Sequence, residues 1–318
     1  AQKTSGATAV VWACGGMPHS FVRPHKYQKT MPKISTSVSP VSGDKLYQER
    51  ARAALPLLVR QAQAAKPIFY SALAHELGIP NPRNLNYVLG SIGQAMEGLS
   101  KQWKEKVPPI QCLVVNKATG LPGEGIGWFL VKQEEYAKLP LRRKREIVQA
   151  ELQHVYAYQY WDAVLKELGL APEETDFTNK IEAAAHALGR GGEGPEHKLL
   201  KEFVSRNPSL VGLPNAAGIG KTEDPLPSGD VLDVSFRSRK LWVAVEVKSR
   251  ISSEADITRG IFQCVKYQAI LDAVLLSESK DQNARTVLVL ESKLPSSLVA
   301  LSNLLSVEVV DEVDPSGA

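Results

Sequence analysis

VLDVSFRSRKLWVAVEVK, residues 231–248, reads as two short strands joined by the polar turn Arg237–Lys240. Val, Phe, Leu and Trp dominate both arms, and these side chains suit a pleated, half-buried surface. Successive residues of a strand point to opposite faces. Glu246 and Lys248 therefore project together, while Val245 and Val247 make an apolar face on the other side. Asp233 lies on the first arm. Charged groups at the end of an apolar strand are costly to bury without a partner, and a divalent cation beside the two carboxylates would remove that cost.

Two carboxylates and a lysine meeting at one spot are the ingredients of phosphodiester hydrolysis. Magnesium takes hard oxygen ligands, usually one or two carboxylates with water and phosphate oxygens completing the shell. The metal activates a water and neutralises charge building on the phosphorus oxygens, and a nearby cation orients the attacking water. Glu-x-Lys recurs at Glu278-Ser279-Lys280 and at Glu291-Ser292-Lys293, but neither follows a hairpin arm that carries an aspartate. The plain alternative is a surface hairpin whose Glu246 and Lys248 form an exposed ion pair, worth little.

Further pieces lie on either side. In RGIFQCVKYQA, Gln263 and Tyr267 stand at i and i+4, on one face of a helix. Glu196 opens the helix before the hairpin, where an acidic first turn also suits the helix dipole. Asp230 is a rival ligand in a Ser-Gly-Asp stretch that reads as a turn. The order Glu196, Asp233, Glu246-Val247-Lys248, Gln263-x-x-x-Tyr267 resembles the PD-(D/E)xK nuclease superfamily, in particular its RecB-like and restriction-endonuclease-like branches. The resemblance covers about residues 193–311. It implies Asp233 and Glu246 as ligands of Mg2+ (or Mn2+), Lys248 as the catalytic lysine and Glu196 as an accessory acid. Gln263 and Tyr267 would support the site or the substrate. Leu232 stands where many members have proline.

Working outward, residues 193–318 read as a nuclease domain, an α/β core whose mixed sheet is flanked by helices. A helix opens it at Pro195, a loop runs over about 212–230, and the hairpin and a helix over about 257–277 follow. TVLVLES, SSLVALSNLL and VEVV then read as strand, helix and strand. Gly218-Ile219-Gly220-Lys221-Thr222 lacks the first glycine of a phosphate-binding loop and is rejected as an ATP site. His186 and His197 read as ordinary helix histidines. A helical linker is expected over 133–192, including the basic run Arg142–Arg145, with a glycine hinge at 189–194.

Residues 44–132 predict a winged-helix-like DNA-binding domain. A helix over 44–65 carries Leu46, Ala53, Leu57 and Leu58. Two helices meet at the Gly78/Pro80 turn, the second over about 83–103, and IQCLVVN and GIGWFLV read as the strands of a hairpin. YSALAHELGIPNPRNLNYVLG with VPPIQCLVVNKATGLPGEG loosely resembles the DNA-binding domain of alkylguanine alkyltransferases. That family places its reactive cysteine directly after proline. Here Ile110 follows Pro109, so no alkyl transfer is expected, and Cys112 reads as a core thiol. Arg83, Asn84 and Asn86 at the start of the second helix, with Lys101, Lys104 and Lys106 beyond, are the expected DNA contacts.

The chain has 318 residues, 43% apolar, with a net charge of +4. That size suits two domains, and so mild a charge allows an anionic partner without requiring one. Cys14, Cys112 and Cys264 are too scattered for a zinc site and fit a reducing, cytoplasmic setting. No apolar run approaches the roughly 18 residues of a membrane span. Residues 1–43 lack Asp and Glu and are read as a disordered leader rather than a targeting segment. The expectation is a metal-dependent DNA endonuclease acting on double-stranded DNA, with restriction, phage defence and DNA repair as uses that fit. A homodimer would suit cutting both strands. The alternatives are a catalytically silent DNA-binding or assembly protein that keeps the fold, and a nuclease acting on RNA.

Overall fold

The run LWVAVEV is apolar on both faces up to Glu246, as a strand in the middle of a covered sheet must be. The computed structural model describes residues 41–130, 133–173, 175–186, 194–278 and 282–316. Its first part holds α1 (Leu46–Gln63), β1 (Ile68–Phe69), α2 (Tyr70–Glu76), α3 (Leu85–Trp103), β2 (Val114–Val115), α4 (Gly127–Leu130), α5 (Gln133–Lys138), α6 (Leu141–Ala157), α7 (Trp161–Glu167) and α8 (Thr178–His186). The second part runs α9 (Pro195–Arg206), β3 (Lys221–Pro225), β4 (Val231–Arg237), β5 (Leu241–Lys248), α10 (Glu254–Ser277), β6 (Asn283–Leu290), α11 (Ser296–Leu304) and β7 (Glu308–Val310).

This is a mixed α/β protein with a five-stranded sheet in the order β3-β4-β5-β6-β7. β3, β4 and β5 form an antiparallel meander, and β5, β6 and β7 run parallel, with α10 and α11 as the crossovers. One face presents Val234, Val243, Val245, Val247 and Val287 to Leu200 and Val204 of α9. The other gives Trp242 and Ala244 to Tyr267, Leu271 and Leu275 of α10. Next to them, Leu288 and Leu290 meet Ile257 and Ile261 of α10 and Leu298 and Leu301 of α11. Helices thus cover both sides of the central strands.

The expected loop over 212–230 contains β3, a strand hidden in sequence by its composition, KTEDP. As an edge strand with its side chains largely exposed it needs no apolar alternation. In the N-terminal part, α1, α2 and α3 fall where the pattern puts them, but the wing hairpin does not form. Ile110–Leu113 is a 3-10 turn with all four residues buried. Val114–Val115 then pairs in parallel with Ile68–Phe69, and the intended second strand is helix α4. Within the expected linker 133–192 the described residues hold α5, α6, α7 and α8, with breaks that include Pro140 and Tyr158–Tyr160. Of the expected leader only 41–43 is described, and the glycines at 189–192 lie outside the described residues.

Polar contacts join the two parts. The Gln61 amide donates to the Asn303 carbonyl at 2.9 Å, the Asn303 amide donates to Glu76 at 2.7 Å, and Lys117 pairs with Glu308 at 3.1 Å. No helix among the described residues is long and apolar enough to cross a membrane.

Candidate functional site

β4 and β5 pair from Arg237↔Trp242 to Val234↔Val245. One step further, that register sets Asp233 opposite Glu246. The backbone ladder has ended there, and the Asp233 carboxylate accepts the Val247 N–H at Oδ2 (2.9 Å). A side chain standing in for a strand carbonyl keeps this N–H satisfied where the strands part. The other carboxylate oxygen, Oδ1, lies 3.3 Å from His197 Nε2, on the first turn of α9.

Glu246 and Lys248 share the sheet face covered by α10. The Lys248 ammonium donates to Glu246 Oε1 at 2.7 Å and to the Gln263 side-chain oxygen Oε1 at 3.3 Å. Gln263 reaches Tyr267 at 3.5 Å, and the Tyr267 hydroxyl donates to the Val231 carbonyl at 3.4 Å, both at the loose end of hydrogen bonding. Ser253 and Asp256 form a reciprocal cap that starts α10, the helix carrying this pair. Gly260 lets that helix lie close, since a Cβ there would sit 3.0 Å from Lys248 Cε and from Leu288 Cδ1. Glu246 is 3% exposed, so the pair is no solvated surface ion pair.

The charges are unevenly held. Burial, and next the Asp233 charge, push the Glu246 carboxyl up to about 7 against the pull of Lys248. Burial also pushes Asp233 upward, but the bonds from His197 and the Val247 N–H outweigh it and hold Asp233 below the usual carboxylate range. The Tyr267 phenol is raised by burial and by the Glu246 charge, so it stays protonated. Burial likewise raises the Cys264 thiol beneath Glu246, which leaves it unreactive.

Among the described residues no three His, Cys, Asp or Glu side chains converge to hold a metal ion. The donor set is the pair Asp233 and Glu246. They are two hard oxygen donors, the type that a magnesium ion takes alongside water and phosphate oxygens.

The remaining expected residues divide. Asp233, Glu246, Lys248, Gln263 and Tyr267 are brought together. Glu196 is on the same helix turn as His197, yet no hydrogen bond or ion pair joins it to Asp233, Glu246 or Lys248 among the described residues. The expectation of an ordinary helix histidine is corrected: His197 is the α9 residue that touches the site. Its signal in the sequence is position, because Leu200 and Val204, three and seven residues on, are the buried stripe of α9. Asp230 is engaged by Lys266 at 2.6 Å and Ser228 at 2.7 Å. Arg83, Asn84 and Asn86 are exposed at the start of α3, and Lys101 and Lys104 at its far end, about 27 Å away for 19 residues. Lys106 pairs with Glu151, Arg142 and Arg143 with Glu146, and Lys144 with Glu124.

No protein-family model, curated protein or solved structure matches this chain.

The raised Glu246 carboxyl has a measurable consequence. Between its ordinary range and about 7 the folded chain binds more protons than the unfolded chain, so stability falls as pH rises through that window. Asp233 acts oppositely, its contribution being lost as pH falls through its lowered range. In chelator, Glu246→Gln should exceed wild type in stability by about 2–3 kcal/mol at pH 8 and by little at pH 5. Thermal melts check this, and equal wild-type and variant pH profiles would contradict it.

Proposed function

We propose that this chain is a Mg2+-dependent deoxyribonuclease whose C-terminal part is a PD-(D/E)xK-type core, with Asp233, Glu246 and Lys248 at the reacting centre. What carries the reading is the buried Glu246–Lys248 pair facing Asp233 where β4 and β5 separate. Three ionisable groups held there are costly for the fold, and phosphodiester hydrolysis gives each a use.

A magnesium ion held by Asp233 and Glu246 would supply Lewis acidity and an activated water. His197 and the Val247 N–H keep Asp233 ionised and aimed. Lys248, restrained by Gln263, offers its ammonium to a phosphate oxygen or to the attacking water, so charge building on phosphorus meets a preset donor. Tyr267 stays neutral and steadies Gln263. Water's oxygen bonds to phosphorus as the phosphorus–oxygen bond to the sugar breaks. Arg83 and Asn84 extend the reading to a DNA grip by the start of α3; without the wing, that grip rests on the helices alone.

The test is incubation of supercoiled plasmid and a matched RNA with the full chain, in Mg2+ and in chelator. Mg2+-dependent nicking or linearisation of the plasmid supports the reading. Retarded but uncut DNA favours the silent binding protein, and cleavage of RNA alone favours a ribonuclease.

A further inference from the structure

A second site lies in the N-terminal part, away from the carboxylates. A cavity of about 660 Å3 opens beside α3, walled by the aromatic side chains of Tyr70, Trp128 and Phe129 and by Gln111. That volume is within the range that takes a small molecule. Tyr70 fixes the loop at its mouth by accepting the Gly123 N–H at 3.0 Å. Trp128 is 70% exposed on the rim, a large aromatic face that the fold does not use.

Gln111 is the informative group. It is 4% exposed, and among the described residues neither its amide nitrogen nor its amide oxygen has a hydrogen-bond partner. A buried side-chain amide left wholly unpaired is destabilising, and such groups call for an explanation. Nothing among the described residues relieves it. The Gln111 nitrogen and the edge of the Phe129 ring meet over Gly93, where a Cβ would lie 2.5 Å from the nitrogen and 2.3 Å from the ring. Half-buried Phe129 thus borders the amide, and both side chains line the cavity.

The charges select among ligands. Among the described residues the lining includes Glu97 and Glu124 and no Lys, Arg or His. Lys144 reaches Glu124 from outside at 3.4 Å, and Glu97 makes no ion pair among the described residues. Such a mouth repels anions, nucleic-acid phosphates included. We propose that this cavity is a binding site for a small, planar, neutral or cationic molecule with a carboxamide-type edge, which pairs donor to acceptor with Gln111 and stacks on Trp128 or Phe129. Asn86, also in the lining, belongs to this site rather than to a DNA contact. The inference is independent of the nuclease reading.

The probes are nicotinamide, its N-methyl cation and nicotinate, which share one ring and differ in edge and charge. They are titrated into the full chain labelled with 15N at glutamine, with the Gln111 side-chain NH2 resonance as the readout. Nicotinamide and the cation should shift that resonance saturably, with a Kd on the order of millimolar for so small a molecule. Nicotinate, lacking the donor and carrying a negative charge, should bind about tenfold more weakly or less. Gln111→Leu should lose the binding, followed through a Trp128-sensitive fluorescence change, while its melting temperature rises by about 2–4 °C as the unpaired amide is removed. No saturable shift up to about 20 mM, equal binding of nicotinate, or full binding by Gln111→Leu overturns the proposal. So does a Gln111 response to a DNA oligonucleotide alone.

Discussion

Glu246→Gln should lower Mg2+-dependent plasmid cleavage by about 10^3-fold or more while leaving the fold intact. The substitution keeps the volume of the side chain and an oxygen beside Lys248, and removes the negative charge facing Asp233. Ordinarily, neutralising a buried member of an ion pair strands its partner. Here the carboxyl is already pushed up to about 7 by burial and by Asp233, so its loss relieves repulsion in the apo protein. Activity and stability should therefore move in opposite directions, which separates a lost metal ligand from a damaged fold. Asp233→Asn should be as inactive, and it retains an oxygen to accept the Val247 N–H. Single-turnover cleavage with saturating Mg2+ checks both. Cleavage by Glu246→Gln within about tenfold of wild type would remove Glu246 from the chemistry.

Much of the C-terminal part was legible because its cause is local. The strand composition of 241–248 could be read directly, and the two-residue period of a strand placed Glu246 and Lys248 on one face. The spacing of Gln263 and Tyr267 likewise survived folding, since one helix sets both. What stayed hidden depends on contacts between elements. β3 gave no signal because an edge strand needs little apolar surface. His197 looked ordinary because its partner lies 36 residues away, across the helix-to-sheet interface. Ile110–Leu113 has strong strand composition, yet its burial from every side, in the core under α1 and α3, favours a 3-10 turn. There tertiary packing overrides propensity, and with it goes the hairpin of the wing. The unpaired amide of Gln111 has no sequence signature at all, because a lack of partners is a property of the packed state.

Glu76→Ala should destabilise the chain by about 3–5 kcal/mol, seen as a lowered midpoint in guanidinium unfolding. Glu76, at the end of α2, accepts two bonds from Arg60, at 2.6 and 3.0 Å, and one from Asn303 of α11 at 2.7 Å. Arg60 is 5% exposed, so its guanidinium cannot turn to water when the carboxylate is gone. The cost is the stranded charge more than the lost attraction, and the pair is not ideally satisfied, because Arg60 Nε lacks a partner among the described residues. Arg60→Met in the Glu76→Ala background should therefore recover most of the loss, as removing both charges leaves only a packing defect. The site also ties the chain together: Gln61, next to Arg60, donates to the Asn303 carbonyl while Glu76 takes the Asn303 amide. Amide exchange in α2 and α11 should accelerate together in Glu76→Ala. A loss below about 1 kcal/mol, in the range of an ordinary surface change, or a double variant no more stable than the single, would show that Arg60 is solvated and that these helices are held by apolar packing alone.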